Sequence, residues 1–281
     1  MKKVREREEE NIIIPESHPR AKSLKYRELL VHGYNEGVVA TAGLIAHGRG
    51  EAFDYLLGEK THDFAREAME AAVALFLVSK HPVFSVNGNV AALVAKEYVE
   101  LAKKVNAKLE VNLFYRTKRR ERAIERVLLA AGAGEVLGVD EKYRAELPEI
   151  EHLRRYVDKR GILIADTVFV PLEDGDRTMA LRKMGKNVVT IDLNPLSRTA
   201  QWANITIVDN IVRAVPGMIR IVEKMRNKPK EELLEILKNY DNNDILRRAF
   251  EKIKENIEEW ASKGLIIEEV KKYPKFNLKF L

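Results

Sequence analysis

Short apolar runs alternate with segments of helical periodicity between residues 81 and 225, and this alternation constrains the fold more than any other feature of the sequence. The predicted strands are 82–86, 108–114, a short one at 135–139, 161–166, 188–191 and 204–208. The predicted helical segments are 90–105, 116–132, 147–159, the later part of 172–184, a first turn at 197–201, and 211–225. Crossovers of this length join parallel strands, and helices then cover both faces of the sheet. The sequence therefore predicts an α/β protein built on a parallel sheet.

Helical patterns also flank the predicted sheet on both sides. A helix is expected at about 23–35, and another after a cap at Thr61 or Asp63, with a glycine-rich loop around 47–54 between them. Amphipathic helices are expected at 228–240 and 243–263. We expect a charged extension at 1–11 and one α/β domain over 12–281, which consists of a helical part 12–80, a sheet-containing core 81–225 and C-terminal helices 226–281.

Polar side chains follow the last two predicted strands. Asp192 and Asn194 come after the first of them, and Asp209 and Asn210 after the second. Ligands of open parallel sheets bind outside the carboxyl ends of the strands, where an acid can accept a hydrogen bond from a ribose hydroxyl. Ser197 and Arg198, at a helix start, suit a phosphate. A nucleotide site is one interpretation of these residues, and ordinary strand ends and helix caps are the other.

Two further clusters carry groups that suit anions. Asn87-Gly88-Asn89 joins a predicted strand to a helix, which fits either a phosphate cradle or an ordinary tight turn. His47-Gly48-Arg49-Gly50-Glu51 places an imidazole, a guanidinium and a carboxylate within five positions, which fits phosphate binding or a structural histidine. The chain contains neither GxxxxGK[ST] nor GxGxxG, so the phosphate-loop and dinucleotide fingerprints are missing.

Composition excludes several classes of site. The 281 residues include no cysteine, so disulfides and thiolate metal sites are impossible, which fits a cytoplasmic protein. The six histidines lack HxH and HExxH spacing, so no dedicated zinc site is expected, although Mg²⁺ carried by a nucleotide needs only one or two carboxylates. We expect neither a secretory signal nor a membrane span, because no long apolar run occurs. Charged residues make up 33%, a bias typical of thermophilic proteins.

A net charge of +6 suits anionic ligands, and a basic run at 116–126 raises the alternative of a nucleic-acid surface. Glu121 and Glu125 are interleaved with that run at helical spacing, which predicts intrahelical ion pairs on a solvated face instead. A different nucleotide-binding enzyme, such as a methyltransferase, also remains open, because a fold does not fix a function. Ser197 lacks the GxSxG elbow of serine nucleophiles.

Four separated blocks of the chain are distinctive: IPESHPRAKSLKYRE (14–28), GLIAHGRGEAFDYLLGEKT (43–61), VNGNVAAL (86–93) and IDLNPLSRTAQWANITIVDN (191–210). Together they resemble archaeal phosphopantothenate synthetase, the 4-phosphopantoate–β-alanine ligase of coenzyme A biosynthesis. The resemblance implies a Rossmann-like core, a homodimer, a requirement for Mg²⁺, and no nucleic-acid or membrane partner. It also implies that ATP and 4-phosphopantoate give pyrophosphate and a phosphopantoyl adenylate, which β-alanine converts to 4′-phosphopantothenate and AMP.

The resemblance also implies roles for individual residues. The implied ATP ligands are Arg27, Arg49, Asp192, Leu193, Asn194, Ser197, Arg198, Asp209 and Asn210. The substrate phosphate is assigned to Arg20 and to Asn87, Gly88 and Asn89. His47, Arg49 and Arg198 are the expected catalytic groups, with His47 touching the reacting phosphate. Catalysis would come from orientation and charge neutralisation, and no covalent enzyme intermediate is required.

Overall fold

A computed structural model describes residues 15–18, 20–264 and 272 of the chain. The predicted extension at 1–11 and most of the tail after 264 lie outside the described residues. The helices are α1 (Ala21–Asn35), α2 (Thr41–Leu57), α3 (Asp63–Val78), α4 (Gly88–Lys104), α5 (Lys118–Ala130), α6 (Gly175–Lys183), α7 (Arg198–Trp202), α8 (Ile211–Met225), α9 (Lys230–Asn239) and α10 (Asn242–Lys263). The strands are β1 (Pro82–Val86), β2 (Lys108–Val111), β3 (Arg144–Glu146), β4 (Tyr156–Asp158), β5 (Thr167–Phe169), β6 (Asn187–Ile191) and β7 (Ile205–Ile207).

Five strands form the predicted parallel sheet, in the order β2-β1-β5-β6-β7. Counted along this sheet alone, the order is 2-1-3-4-5, which is a doubly wound α/β topology. The direction of winding reverses between β1 and β5, so these two strands form the topological switch point. Ligands of such sheets bind in the crevice at this point, outside the carboxyl ends of the strands.

Apolar side chains cover both faces of the sheet, as the pattern of the sequence predicts. The larger cluster buries Phe84 of β1 and Phe169 of β5 against Phe76 of α3 and Tyr98 of α4, with ring centroids 4.9–5.5 Å apart. The smaller cluster buries alternate strand residues against α6, where Leu181 is fully buried. In the described part of the chain, none of the helices has both the length and the apolar character needed to cross a bilayer.

Three predicted elements between β2 and α6 are wrong, namely the strands at 135–139 and 161–166 and the helix at 147–159. Residues 161–164 form turns instead of a strand, and β5 begins at Thr167. The apolar Ile162 is nevertheless buried, because the carboxylate of Glu110 accepts from its backbone N–H at 2.6 Å and holds the turn in the core. Segment 135–139 contributes a single bridge, Glu110 to Leu137. A short buried apolar run looks the same in a turn and in a strand.

The predicted helix at 147–159 is also wrong. It contains one 3₁₀ turn at 153–155 followed by β4, which pairs antiparallel with β3. The side chain of Asn112 donates to the carbonyls of Arg154 and Tyr156 at 3.1 Å, so tertiary hydrogen bonds replace the helical ones.

The N-terminal region differs from prediction in two places. Residues 47–54 lie inside the helix α2 and do not form a loop. Glycine in this helix has a packing role, since a Cβ on Gly43 would lie 2.3 Å from the side-chain oxygen of Asn89. The N-cap of α3 is His62, neither Thr61 nor Asp63. Thr61 instead donates to Asp209 at 2.6 Å.

Candidate active site

A cavity of about 450 Å³ opens at the carboxyl edge of the sheet, between α2 and the segments that follow β5, β6 and β7. Its size lies within the range of small-molecule sites. Residues predicted from sequence line much of it: His47, Arg49, Asn89, Asp192, Leu193, Asn194, Ser197 and Asn210. The sequence blocks that suggested a nucleotide site therefore meet in one place.

Asp192, directly after β6, has a carboxylate that is fixed by its own loop. One oxygen accepts from the backbone N–H of Asn194 at 2.9 Å, and the other accepts from the hydroxyl of Ser197. Ser197 also caps α7 by accepting from the N–H of Ala200 at 2.9 Å. Burial raises the pKa of Asp192, while hydrogen bonds and the charge of Arg49 oppose the rise. The loop thus presents a half-buried acid to the cavity in one fixed orientation.

The residues after β7 take different positions relative to the cavity. Asn210 lines it, whereas Asp209 is buried beside Thr61 and Arg213. Burial raises the pKa of Asp209, and the charge of Arg213 lowers it. Arg213 also donates to Asp54 of α2 at 3.1 Å, so Asp209 acts as a structural anchor for the cavity wall.

Helix α2 brings three functional groups to the cavity: His47, Arg49 and Glu51. Burial lowers the pKa of His47, so its imidazole is neutral at neutral pH. Burial raises the pKa of Glu51, but hydrogen bonds from Arg27 and Tyr55 outweigh it and keep the pKa below its usual value. Helix α2 therefore brings a guanidinium, a neutral imidazole and an ionised carboxylate to the cavity.

Three of the predicted arginines lie outside the cavity lining. Arg27 donates to Glu51 at 2.6 Å, and Arg20 lies 4.0 Å from the same carboxylate. Arg198 pairs with Asp176 at 2.7 Å on the surface, where its side chain is 60% exposed. Arg20 and Arg27 lie beside Glu51, which lines the cavity, whereas Asp176 holds Arg198 on the surface.

The Asn87-Gly88-Asn89 turn lies at the switch point, and its polar groups are largely used. Asn87 accepts from the N–H groups of Asn89 and Val90 at 3.1 Å and thereby caps α4. It also donates to the carbonyls of Pro171 and Leu172, which ties the end of β1 to the end of β5. Asn89 alone of the three lines the cavity.

Gly88 allows the close approach of two chain segments. A Cβ at this position would lie 2.3 Å from the carbonyl oxygen of Val38 and 3.0 Å from a guanidinium nitrogen of Arg120. Glycine is therefore needed here for packing of the turn against its neighbours.

Sequence reasoning missed Glu173, which lines the cavity wall after β5. Its carboxylate is almost fully buried and forms ion pairs with Arg154 and Arg177. The available signal was an acid soon after a strand. Because the strand is predicted at 161–166 and not at 167–169, Glu173 is assigned to a connection too far from the predicted strand end to be recognised.

Within residues 15–18 and 20–264, no group of three histidine or acidic side chains is arranged to hold a metal ion. The carboxylates that line the cavity, Glu51, Glu173 and Asp192, are each engaged by arginine or by hydrogen bonds.

Several cationic side chains of the basic run 116–126 are engaged by acids or by backbone carbonyls. Arg122 pairs with Glu125 at 2.8 Å, and Arg116 pairs with the buried Glu121, in agreement with the predicted ion pairs. Arg120 donates to the carbonyls of Tyr115 and Val38 at 2.6 and 2.9 Å. These contacts do not favour the nucleic-acid alternative.

Comparison with known proteins gives consistent matches. A sequence profile of the phosphopantothenate/pantothenate synthetase family matches residues 64–256. A protein of Thermococcus kodakarensis is 56% identical over 90% of this chain and 96% of its own length. Relatives from Thermococcus onnurineus (54%, over 90% of this chain and 96% of their own length) and Methanosarcina mazei (48%, 89% and 97%) are similar. All three are named 4-phosphopantoate–β-alanine ligase, and their organisms fit the archaeal and thermophilic expectation.

Proposed function

Since the chain belongs to the phosphopantothenate/pantothenate synthetase family, we propose that it is the 4-phosphopantoate–β-alanine ligase of coenzyme A biosynthesis, which consumes ATP and releases AMP. The observation that carries this proposal is the identity of 56% to a ligase of that name over 90% of the chain. The cavity supports it independently, because acid, amide and guanidinium groups meet at the carboxyl edge of a doubly wound sheet.

ATP binds along the ends of β6 and β7 in this proposal. The fixed carboxylate of Asp192 accepts from a ribose hydroxyl, and Leu193 packs against the adenosine. The side chains of Asn194 and Asn210 hydrogen-bond to the base, and Asp209 holds Asn210 in place through the Arg213 network.

Arginine side chains bind the triphosphate of ATP in this proposal. Arg49 contacts the α-phosphate from α2, and Ser197 offers the start of α7. Arg27 and Arg198 exchange their present carboxylates, Glu51 and Asp176, for phosphate oxygens. Guanidinium groups suit this task because they bind phosphate bidentately.

The reaction then proceeds in two steps on the same surface. A carboxylate oxygen of 4-phosphopantoate attacks the α-phosphorus, the bond to the β-phosphate oxygen breaks, and pyrophosphate leaves. The β-alanine amine next attacks the acyl carbon, the acyl–oxygen bond breaks, and AMP leaves while the nitrogen loses a proton. Arg49 neutralises charge on the α-phosphate, and the neutral His47 donates a hydrogen bond to one of the oxygens of this phosphate.

The pantoyl end of the substrate enters at the switch point, and its phosphate is bound by the Asn87-Gly88-Asn89 turn and by Arg20, which lies 4.0 Å from the cavity residue Glu51. Glu51 and Asp192, the carboxylates that α2 and the end of β6 bring to the cavity, would hold Mg²⁺ bound with the triphosphate, and the metal would supply further charge neutralisation there. A homodimer and a cytoplasmic location, both expected from the sequence, belong to the same proposal.

The test is a product assay with ATP, Mg²⁺, β-alanine and 4-phosphopantoate, in which one component is left out at a time. We expect AMP and pyrophosphate only from the complete mixture. ADP as the nucleotide product, or AMP formation that does not depend on β-alanine over many turnovers, would contradict the proposal. Light scattering of the purified protein tests the homodimer separately.

A further inference from the structure

The imidazole of His47, on helix α2, is not engaged by the rest of the described chain. It lines the cavity and is half-buried. Neither ring nitrogen forms a hydrogen bond or an ion pair with residues 15–18 and 20–264. A neutral imidazole has one N–H donor and one lone pair that accepts. His47 therefore offers both a donor and an acceptor to a molecule in the cavity.

The carboxylates of the cavity wall, in contrast, are already occupied. The oxygens of Glu51, Glu173 and Asp192 are held by arginine, tyrosine or serine side chains or by backbone N–H groups. Hydrogen bonds to the charged form of a carboxylate weaken it as a base. Of the titratable side chains that line the cavity in the described part of the chain, His47 is thus the one with a free proton-accepting atom.

Formation of the amide requires such an acceptor. The amine of β-alanine is an ammonium in water at neutral pH, as the side chain of lysine is, and it loses one proton to water before it can attack. Attack of the neutral nitrogen on the acyl carbon forms the C–N bond and leaves a positive charge on the nitrogen. A second proton then has to leave the nitrogen, while the acyl–oxygen bond breaks and its electron pair departs on the phosphate oxygen of AMP.

A group that contacts the α-phosphate is also close to the carbon that the amine attacks. In a phosphopantoyl adenylate, a single oxygen joins the acyl carbon to the α-phosphorus. His47 and Arg49, which the proposed function assigns to this phosphate, both line the cavity from α2. One ring nitrogen of His47 can therefore donate to a phosphate oxygen while the other nitrogen, on the opposite side of the ring, accepts from the amine.

We propose that His47 is the general base that accepts the proton of the β-alanine nitrogen when the amide forms. This role rests on the ligase function proposed above and supplies the proton transfer of its second step. The imidazolium that results donates from both nitrogens, and its charge stabilises the phosphate oxygen that leaves with AMP. The proton then passes to water, which restores the neutral ring for the next turnover.

The charges around His47 leave it able to accept a proton at neutral pH. Burial lowers the pKa of His47 below its usual 6.5, and the charge of Arg27 on α1 adds to the fall, whereas the charges of Glu51 and Asp54 on α2 oppose it. The remaining charged groups of the cavity wall are Arg49 on α2, Glu173 after β5 and Asp192 after β6.

The test separates the two steps of the reaction in His47→Gln. The glutamine amide can still donate to the α-phosphate, but it cannot take up a proton. We expect amide formation with β-alanine to fall by about 100-fold or more, the usual contribution of a general base. Exchange of labelled pyrophosphate into ATP, which depends on 4-phosphopantoate but not on β-alanine, should stay near the wild-type rate. The matched control is His81→Gln, an exposed position just before β1 at the opposite edge of the sheet, and it should behave as wild type in both assays.

Hydroxylamine provides a second readout, because its nitrogen is largely neutral at neutral pH and attacks acyl adenylates without a catalytic base. Formation of the hydroxamate should therefore be nearly as fast in His47→Gln as in wild type. With β-alanine, the logarithm of the wild-type rate should fall more steeply below the pKa of His47, where both the amine and the imidazole have to be deprotonated. His47→Gln should keep the shallower slope over the whole pH range.

Equal loss of pyrophosphate exchange and of amide formation in His47→Gln would overturn the proposal and leave His47 as a ligand of the phosphate. Unchanged amide formation would also overturn it and assign the proton to another acceptor. If His47→Gln does not fold, His47→Asn serves for the same comparison. Either result in an enzyme whose wild type makes AMP leaves the ligase function intact. A wild type that shows neither pyrophosphate exchange nor AMP would remove the function itself, so the two failures are distinguishable.

Discussion

The side-chain amide of Asn210 donates to the carboxylate of Asp54 at 2.9 Å and joins positions 156 residues apart in the chain. Asn210 follows β7, and Asp54 lies on α2, the helix that carries His47 and Arg49. Arg213 strengthens the same connection by pairing with Asp54 and with Asp209. The helix that carries His47 and Arg49 is thereby fixed to the strand ends that line the other side of the cavity.

Asp54→Ala should therefore weaken both stability and nucleotide binding. The substitution leaves Arg213 with one carboxylate partner and removes the acceptor of the Asn210 amide. We therefore expect a loss of roughly 2 kcal/mol in the free energy of unfolding. This loss is smaller than for a fully buried pair, because Arg213 is partly exposed. The KM for ATP should rise. Urea unfolding and steady-state kinetics measure the two effects, and Asp63→Ala, on the exposed start of α3, is the control. Equal behaviour of the two variants would show that the link does not hold the site.

Arg49→Ala should lower kcat by about 100-fold, the loss typical of removing one group that stabilises transition-state charge. Arg198→Ala should lose less, about 10-fold, since a charged hydrogen bond is removed that first has to be taken from Asp176. Both variants should keep their thermal stability, because neither guanidinium is part of the core. Arg66→Ala, which removes an exposed ion pair on α3, is the control. Unchanged turnover in Arg49→Ala and Arg198→Ala would place the ATP phosphates elsewhere.

Asp192→Ala should raise the KM for ATP by about 10- to 100-fold through loss of a charged hydrogen bond to the ribose. The sharper measurement uses 2′-deoxy-ATP and 3′-deoxy-ATP beside ATP. Wild-type enzyme should discriminate against one of the deoxynucleotides, and the variant should treat it like ATP. Discrimination that persists in Asp192→Ala would assign ribose recognition to another residue.

Glu110 makes stability depend on pH. Burial raises the pKa of this carboxyl from 4.5 to about 7, although it accepts from the N–H groups of Ile162 and Asp158. The folded state then binds more protons than the unfolded chain between these two values. The contribution of this group is complete below pH 4.5 and is lost as the pH rises through 7, by roughly 3 kcal/mol in all.

Glu110→Gln should flatten this dependence of the unfolding free energy on pH between 4.5 and 7. Urea unfolding at several pH values measures it. Glu100→Gln, on the exposed face of α4, should keep the wild-type slope. The same slope in Glu110→Gln and wild type would mean that the buried carboxyl does not titrate in this range.

The sequence predicted the parallel sheet, the covering helices and the meeting of distant blocks at one edge, because β-branched strands and strand-end acids such as Asp192 carry local signals. It failed where tertiary contacts override local pattern. The carboxylate of Glu110 accepts from the backbone N–H of Ile162 and holds residues 161–162 as a buried turn. The side chain of Asn112 donates to the carbonyls of residues 154 and 156, in a segment where a helix was expected. The role of Glu173 could not be predicted for the same reason, since its partners Arg154 and Arg177 are brought to it by those irregular segments. Arg198 shows the opposite case. Its position at a helix start is a strong local signal for a phosphate ligand, but its guanidinium pairs with Asp176 on the surface.

Isotope transfer tests most directly whether the cavity activates the acid as an adenylate. 4-Phosphopantoate labelled with ¹⁸O in both carboxylate oxygens is incubated with the enzyme, ATP, Mg²⁺ and β-alanine. The masses of the products are then measured by mass spectrometry. Attack of the carboxylate on the α-phosphorus predicts one ¹⁸O atom in each AMP formed and one retained in the new amide. Unlabelled AMP, or ADP together with ¹⁸O in orthophosphate, would contradict the account.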